Sequence, residues 1–99
     1  MKFFVGIARF RIDLVTCSSL KDKRHFVRSI VDRIGNSRIV AVAEVGDRDF
    51  WKSGVIGIAC VSSSREVIMK AIDGARRTIE SSGVEVVDAE QWVLKPEDL

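Results

Sequence analysis

Tyrosine is absent from this sequence, proline and histidine occur once each, and cysteine occurs twice. Each scarcity excludes something. His25 has no serine, cysteine or aspartate at triad-like placement, so no base and orienter can be named for nucleophilic catalysis and no catalytic residue is assigned. Cys17 and Cys60 lie far apart without a CxxC spacing, which leaves neither a zinc nor a dithiol motif. Both read as free thiols, Cys60 as a small hydrophobe in an apolar run and Cys17 in a polar loop. That usage fits a reducing, cytoplasmic setting. The apolar start is interrupted by Arg9 and Arg11 before it reaches signal-peptide or membrane-span length, so no membrane partner is expected. Glu44, Asp47 and Asp49 lack EF-hand spacing and any histidine, and no metal or cofactor is expected. A net charge of only +2 creates no global field, so an electrostatic argument must come from where the charges lie.

What is present is ordinary globular usage, 46% hydrophobic and 30% charged, in 99 residues, enough for one two-layer core and too few for a second. Residues 2 to 14 alternate, with Phe4, Gly6, Ala8, Phe10, Ile12 and Leu14 on the side expected to be buried. Ser19 with Asp22 three residues on is a capping-box-like helix start, and a helix is predicted from about Leu20 to Ile34 with Gly35-Asn36 ending it. Ile39–Val45 and Val55–Val61 read as a hairpin joined by the turn-rich Gly46-Asp47-Arg48-Asp49. Ser63 with Glu66 suggests a second capping box. Val67, Ile68, Ala71, Ile72, Ala75 and Ile79 then line a helix that Gly83 ends. Val84–Leu94 closes the order as a fourth strand, and its irregular alternation calls for a bulge. The order βαββαβ predicts an α+β, ferredoxin-like split βαβ sandwich: a four-stranded antiparallel sheet with two helices on one face and strands one and three central. We expect one domain over residues 1–95 and a short tail over 96–99.

The first helix is the electrostatic outlier. Lys21, Lys23, Arg24, Arg28 and Arg33 face only Asp22 and Asp32, and Arg24 and Arg28 are like charges at i,i+4, a spacing that costs a few tenths of a kcal/mol. With Ser18 and Ser19 and the free N–H groups of the helix start, Lys21, Lys23, Arg24 and Arg28 form a candidate nucleic-acid or anion site. The opposing reading is a solvated basic face with Arg28 paired to Asp32. On the second helix the i,i+4 pairs Glu66–Lys70, Asp73–Arg77 and Arg76–Glu80 satisfy one another. The sheet face away from the helices lacks the aromatics that RNA-recognition modules stack on bases. Arg9 and Arg11 are expected to pair across to Glu85, Asp88 or Glu90, while Phe3, Val5 and Ile7 make this a candidate self-association face. Trp51 is expected as a lid over one end of the core.

Ser19-Leu20-Lys21-Asp22-Lys23-Arg24, then Ala43-Glu44-Val45, Trp51, Gly57-Ile58-Ala59 and Val61-Ser62, resemble the YlxP-like family of small bacterial proteins of unknown function. The resemblance spans nearly the whole chain. It implies a ferredoxin-like fold in a bacterial cytosolic protein whose genes often lie among those for translation initiation and ribosome maturation. Glu44 and Trp51 belong to the pattern without an assigned role. Val15, Ser18 and Gly46 depart from it, standing where proline, histidine and aspartate are frequent.

The resulting expectation is an accessory binding module that contacts ribosomal RNA or the ribosome through the basic first helix, with no DNA sequence readout. The alternative is a homodimeric structural or effector-binding domain joined through the open sheet face. An acylphosphatase-like enzyme is disfavoured because Val15-Thr16-Cys17-Ser18-Ser19 holds no glycine to cradle phosphate.

Overall fold

A computed structural model describes residues 2–98; Met1, the first residue of the expected domain, and Leu99, the end of the expected tail, lie outside the described residues. The chain runs β1 (Phe4–Asp13), α1 (Leu20–Gly35), β2 (Val40–Gly46), β3 (Ser53–Ser62), α2 (Arg65–Ser81), β4 (Glu85–Leu94) and a 3-10 turn at Pro96–Asp98. The sheet order is β2-β3-β1-β4, every neighbouring pair antiparallel, so the two central strands are the first and third. This is the α+β ferredoxin-like sandwich. No helix among the described residues is long and apolar enough to cross a membrane.

The alternation of β1 decides the layers. Ala8, Phe10, Ile12 and Leu14 are buried under the helices, and their neighbours in sequence face the other way. Both helices present an apolar stripe with the same spacing: Lys23, Val27, Ile30 and Ile34 on α1, and Ile68, Ile72, Ala75 and Ile79 on α2, are the buried residues. Lys23 therefore stands in α1 where Ile68 stands in α2. Gly6 lets α2 approach the sheet closely, because a Cβ there would overlap the Ile68 side chain and come within 2.9 Å of Cys60 Sγ.

Several local expectations shift. The second helix is capped by Ser64, not Ser63: β3 runs on to Ser62, Ser64 is extended at φ −117°, and its Oγ accepts from the Val67 N–H at 3.3 Å. Val67 falls off the buried stripe and is exposed. Gly83, at φ +87°, follows the helix end in the left-handed region that favours glycine. The bulge in β4 is present: Arg11 pairs with Asp88 but Ile12 with Val86, leaving Val87 as the extra residue. That slip sends Asp88, Glu90 and Trp92 to the open face and resolves the irregular alternation. Of the three α2 pairs only Arg76–Glu80 forms among the described residues, at 3.6 Å. Arg33 instead ties the helix ends together by donating to Ser82 Oγ at 2.8 Å and Ser81 Oγ at 3.0 Å.

Candidate nucleic-acid interface

The candidate site is built at the start of α1. The chain leaves β1 through a tight turn in which the Cys17 N–H donates to the Leu14 carbonyl at 3.0 Å, and the Lys52 carbonyl accepts from the Leu14 N–H at 2.8 Å. That turn folds Cys17 inward, so the thiol expected in a polar loop is buried, and burial, with the nearby Asp22 charge, pushes it up from its ordinary range. Ser19 caps the helix, its Oγ accepting from the Asp22 N–H at 3.1 Å. The Asp22 carboxylate accepts in return from Ser18, from the hydroxyl at 2.5 Å and the N–H at 3.3 Å, and these bonds hold it below the usual carboxylate range. Ser18 and Ser19 are thus committed to closing the cap, and the negative charge of Asp22 already occupies the positive end of the helix. They are not open phosphate ligands.

Lys23 also departs from the expected site. It is 1% exposed, its Nζ lies 3.1 Å from Glu44 Oε2, and it donates to the backbone carbonyls of Asp47 and Phe50. The geometry follows from placement: Lys23 heads the buried stripe of α1, and Glu44, paired with Ile56 across β2 and β3, points to the same layer. Among the described residues the ammonium alone lies within ion-pair reach of Glu44 Oε2, a buried oxygen with no well-aligned hydrogen bond. Two segments that carried the family resemblance, Lys23 in one and Glu44 in the other, meet here. Their joint effect is to hold the β2–β3 connection against α1, with Asp47 at φ +58° and its side chain accepting from Ser53 Oγ at 3.1 Å.

The pinned connection brings Arg48 toward the helix. Arg24, Arg28 and Arg48 line one groove of about 540 Å³ together with Asp32, Glu44 and Asp49. Arg24 and Arg28 also line a second hollow of about 450 Å³ with Lys21, Asp22 and His25, so they form the ridge between the two. All of Lys21, Arg24, Arg28 and Arg48 are exposed, and none makes an ion pair among the described residues, the expected Arg28–Asp32 pair included. Arg48 has no signal in the sequence because it lies 20 or more positions from the helix stripe and is placed there by the fold of the connection, which the Lys23 contacts and the Ser53–Asp47 hydrogen bond hold.

Elsewhere, Trp51 is no core lid: it is 38% exposed, with Lys52 Nζ 4.5 Å from its ring centroid. Arg9 pairs across the strands as expected, with Asp88 at 3.2 Å and with Glu90, and these partners, Glu90 foremost, raise its already high pKa. Arg11 makes no ion pair among the described residues. Phe3, Val5 and Ile7 lie on or beside the open sheet face, none of them fully buried. Among the described residues no three His, Cys, Asp or Glu side chains cluster to hold a metal ion.

Fold and surface together define a small ferredoxin-like α+β protein with a basic first helix. The family described as "Protein of unknown function (DUF503)" matches residues 5–91, and the chain belongs to it. A relative from Bacillus subtilis (strain 168), "Uncharacterized protein YlxP", is 34% identical over 77 residues, covering 78% of this chain and 84% of the relative. Among solved structures, the de novo designed protein Foldit4 superposes with a TM-score of 0.51 at 16% identity over 94% of each chain, a likeness of fold alone. SnoaB, a cofactor-independent oxygenase from Streptomyces nogalater, gives a TM-score of 0.49 at 12% identity over 95% of this chain and 92% of that one.

Proposed function

We propose that this protein is an RNA-binding accessory module, acting on ribosomal RNA or the ribosome, that grips phosphates through Lys21, Arg24, Arg28 and Arg48. One observation carries the reading: three arginines from two separate elements line a single groove, and none is neutralised by an ion pair among the described residues. A buried lysine fixes the loop that carries Arg48 beside Arg24 and Arg28, and Asp32 and Asp49 in the same lining offset part of their like charge. Arginine suits the task, since its planar fork meets two phosphate oxygens at once. Lys21 adds a point charge on the neighbouring hollow. Asp32 and Asp49 in the groove limit how closely a backbone enters and make the contact one of position, not sequence. The open sheet face offers a single exposed aromatic on its strands, Trp92, where base stacking calls for two or three, so readout is by shape and charge.

The test is a salt titration of binding to ribosomal subunits and to naked ribosomal RNA. Four neutralised phosphates give a slope of about −3 in log affinity against log salt. Arg48→Glu lowers that slope by about one. Lys21→Glu/Arg24→Glu/Arg28→Glu abolishes binding with the circular dichroism unchanged. Wild-type chain that binds neither target at low salt refutes the reading.

A second reading, a homodimeric structural or effector-binding domain with no nucleic-acid role, draws on the apolar open face of the sheet. It requires salt-insensitive self-association and no binding in the same titration.

A further inference from the structure

The face of the sheet turned away from the helices carries an apolar surface that no element of the described residues covers. Register places Val5, Val61 and Leu94 in one row across it, and Ile7, Ala59, Ala41 and Trp92 in the next. Val61 is 55% exposed and Trp92 43%. A surface of that extent sits at the upper end of what a monomer carries, the range in which a patch is often functional.

We infer that this face binds a second copy of the chain, sheet against sheet, with Trp92 of each protomer seated in the trough over the other's β2 and β3. The inference is independent of the RNA reading, because the arginine groove lies on the helix side.

Shape is the first argument. The trough, about 470 Å³, is floored by Ala41, Ala43, Gly57 and Ala59 and walled by Val45 on one side and by Ile7 and Trp92 on the other. Its floor must stay small: a Cβ on Gly57 would come within 2.9 Å of Val45 Cγ1. The knob, Trp92, stands on β4, one edge of the sheet, and the small residues Ala41 and Ala43 stand on β2, the opposite edge. A two-fold axis lying between the sheets and parallel to the strands places β4 of one copy over β2 of the other. Knob and trough therefore meet twice, as an isologous interface demands.

Area is the second argument. Three strands of ten residues and one of seven, about 4.8 Å apart with about 3.3 Å per residue, give the face roughly 600 Å² in projection. Two copies then bury roughly 1,200 Å², the lower bound of a specific interface.

Charge is the third. The ionic part of the face sits at the β1–β4 side, where Arg9 already bridges Asp88 and Glu90 and Arg11 lies alongside. Asp13 and Glu85, paired with each other in the register, lie at the end of the same two strands, so two cations stand against four carboxylates there, and the two-fold arrangement lays this acidic side over the uncharged Ala41, Ala43 and Val45 of the other copy's β2, not over its own like charges.

The experiment is sedimentation equilibrium of the full chain over a concentration series, at low and high salt, with emission of Trp92 followed in a Trp51→Phe background. The expected result is twice the protomer mass, with a dissociation constant in the micromolar range that salt does not weaken, and a blue shift of Trp92 emission on association. Ala59→Arg, a substitution at an exposed position that leaves the core untouched, and Trp92→Glu each yield monomer with unchanged circular dichroism. A wild-type chain that stays monomeric at its highest soluble concentration overturns the inference. So does a dimer that both variants retain, or a monomer whose Trp92 shifts only on adding neutral phosphatidylcholine vesicles, which would assign the face to lipid.

Discussion

Replacing Lys23 by methionine tests the structural centre of this protein. The substitution keeps the length of the aliphatic stem and removes the ammonium that lies 3.1 Å from Glu44 Oε2 and serves the carbonyls of Asp47 and Phe50. Breaking a buried pair by deleting one partner costs about 3–5 kcal/mol, because the other charge stays behind unpaired. Glu44 keeps 17% of its side-chain surface, enough for some water to reach it, which sets the expectation at the lower end, about 3 kcal/mol. A domain of this size has a total stability of about 5–15 kcal/mol, so the loss is a large fraction and lowers Tm by about 12 °C or more. Urea unfolding followed by circular dichroism measures it. The double variant Lys23→Met/Glu44→Met separates the parts. Removing both charges restores the carboxylate's share and leaves only the two carbonyls without a donor, so the double variant should lose about 1–2 kcal/mol, less than the single one. A Lys23→Met chain within about 0.5 kcal/mol of wild type, or strictly additive effects in the cycle, would falsify the claim that this pair holds the β2–β3 connection.

Other consequences are local. Gly6→Ala forces a methyl group into the Ile68 side chain and Cys60 Sγ, and should cost about 1–3 kcal/mol in urea unfolding; a neutral result would mean that α2 can move off the sheet. Ser64→Ala should lose about 1 kcal/mol and Ser63→Ala less than about 0.5, the reverse of what the capping-box spacing alone suggests, and thermal melts of the two variants decide it. Asp22 is held below its ordinary 3.8, so its stabilising contribution is complete above that pH and is lost as pH falls through the lower folded value. Asp22→Asn should therefore remove part of the acid-side decline in Tm below about pH 4 while leaving the slope near neutrality unchanged. Cys17 and Cys60 are buried with raised pKa values, each chiefly through burial, and should react with an aromatic disulfide reagent near pH 7 only as fast as the chain unfolds.

The fold was legible because its periods are clean. Alternation along β1, the 3.6-residue stripes of α1 and α2, and Gly83 after the second helix each name a local structure that packing then reinforces. The bulge in β4 was legible as well, since Val84 and Val86 can face the core while Asp88 and Glu90 face away from it only if one residue between them is extra. The basic site was only partly legible. A lysine on a helix with several cations reads as one more member of a solvated stripe, and Lys23 was grouped so. Yet its spacing to Val27, Ile30 and Ile34 repeats that of Ile68 to Ile72, Ala75 and Ile79, and Glu44 falls in step with Val40 and Val42 on the inward side of β2. Two opposite charges at inward positions of adjoining elements are a pair signal, and comparing the two βαβ halves would have found it. Arg48 had no such signal, because its place depends on a tertiary contact of the loop.

The two surfaces also constrain one another. The arginine groove opens on the helix layer and the trough on the bare sheet, so a two-fold assembly through the sheets leaves both grooves free and turns them outward on opposite sides. If each groove grips phosphate as proposed, linking two of them in this way raises apparent affinity for a folded RNA only where two phosphate runs lie at the right separation, and leaves affinity for a short oligonucleotide unchanged. A monomeric Ala59→Arg chain should then keep the salt slope of one groove on a short RNA while losing affinity for the intact subunit. Equal losses on both targets would mean that the open face contacts RNA directly, and no loss on either would mean that a single groove suffices.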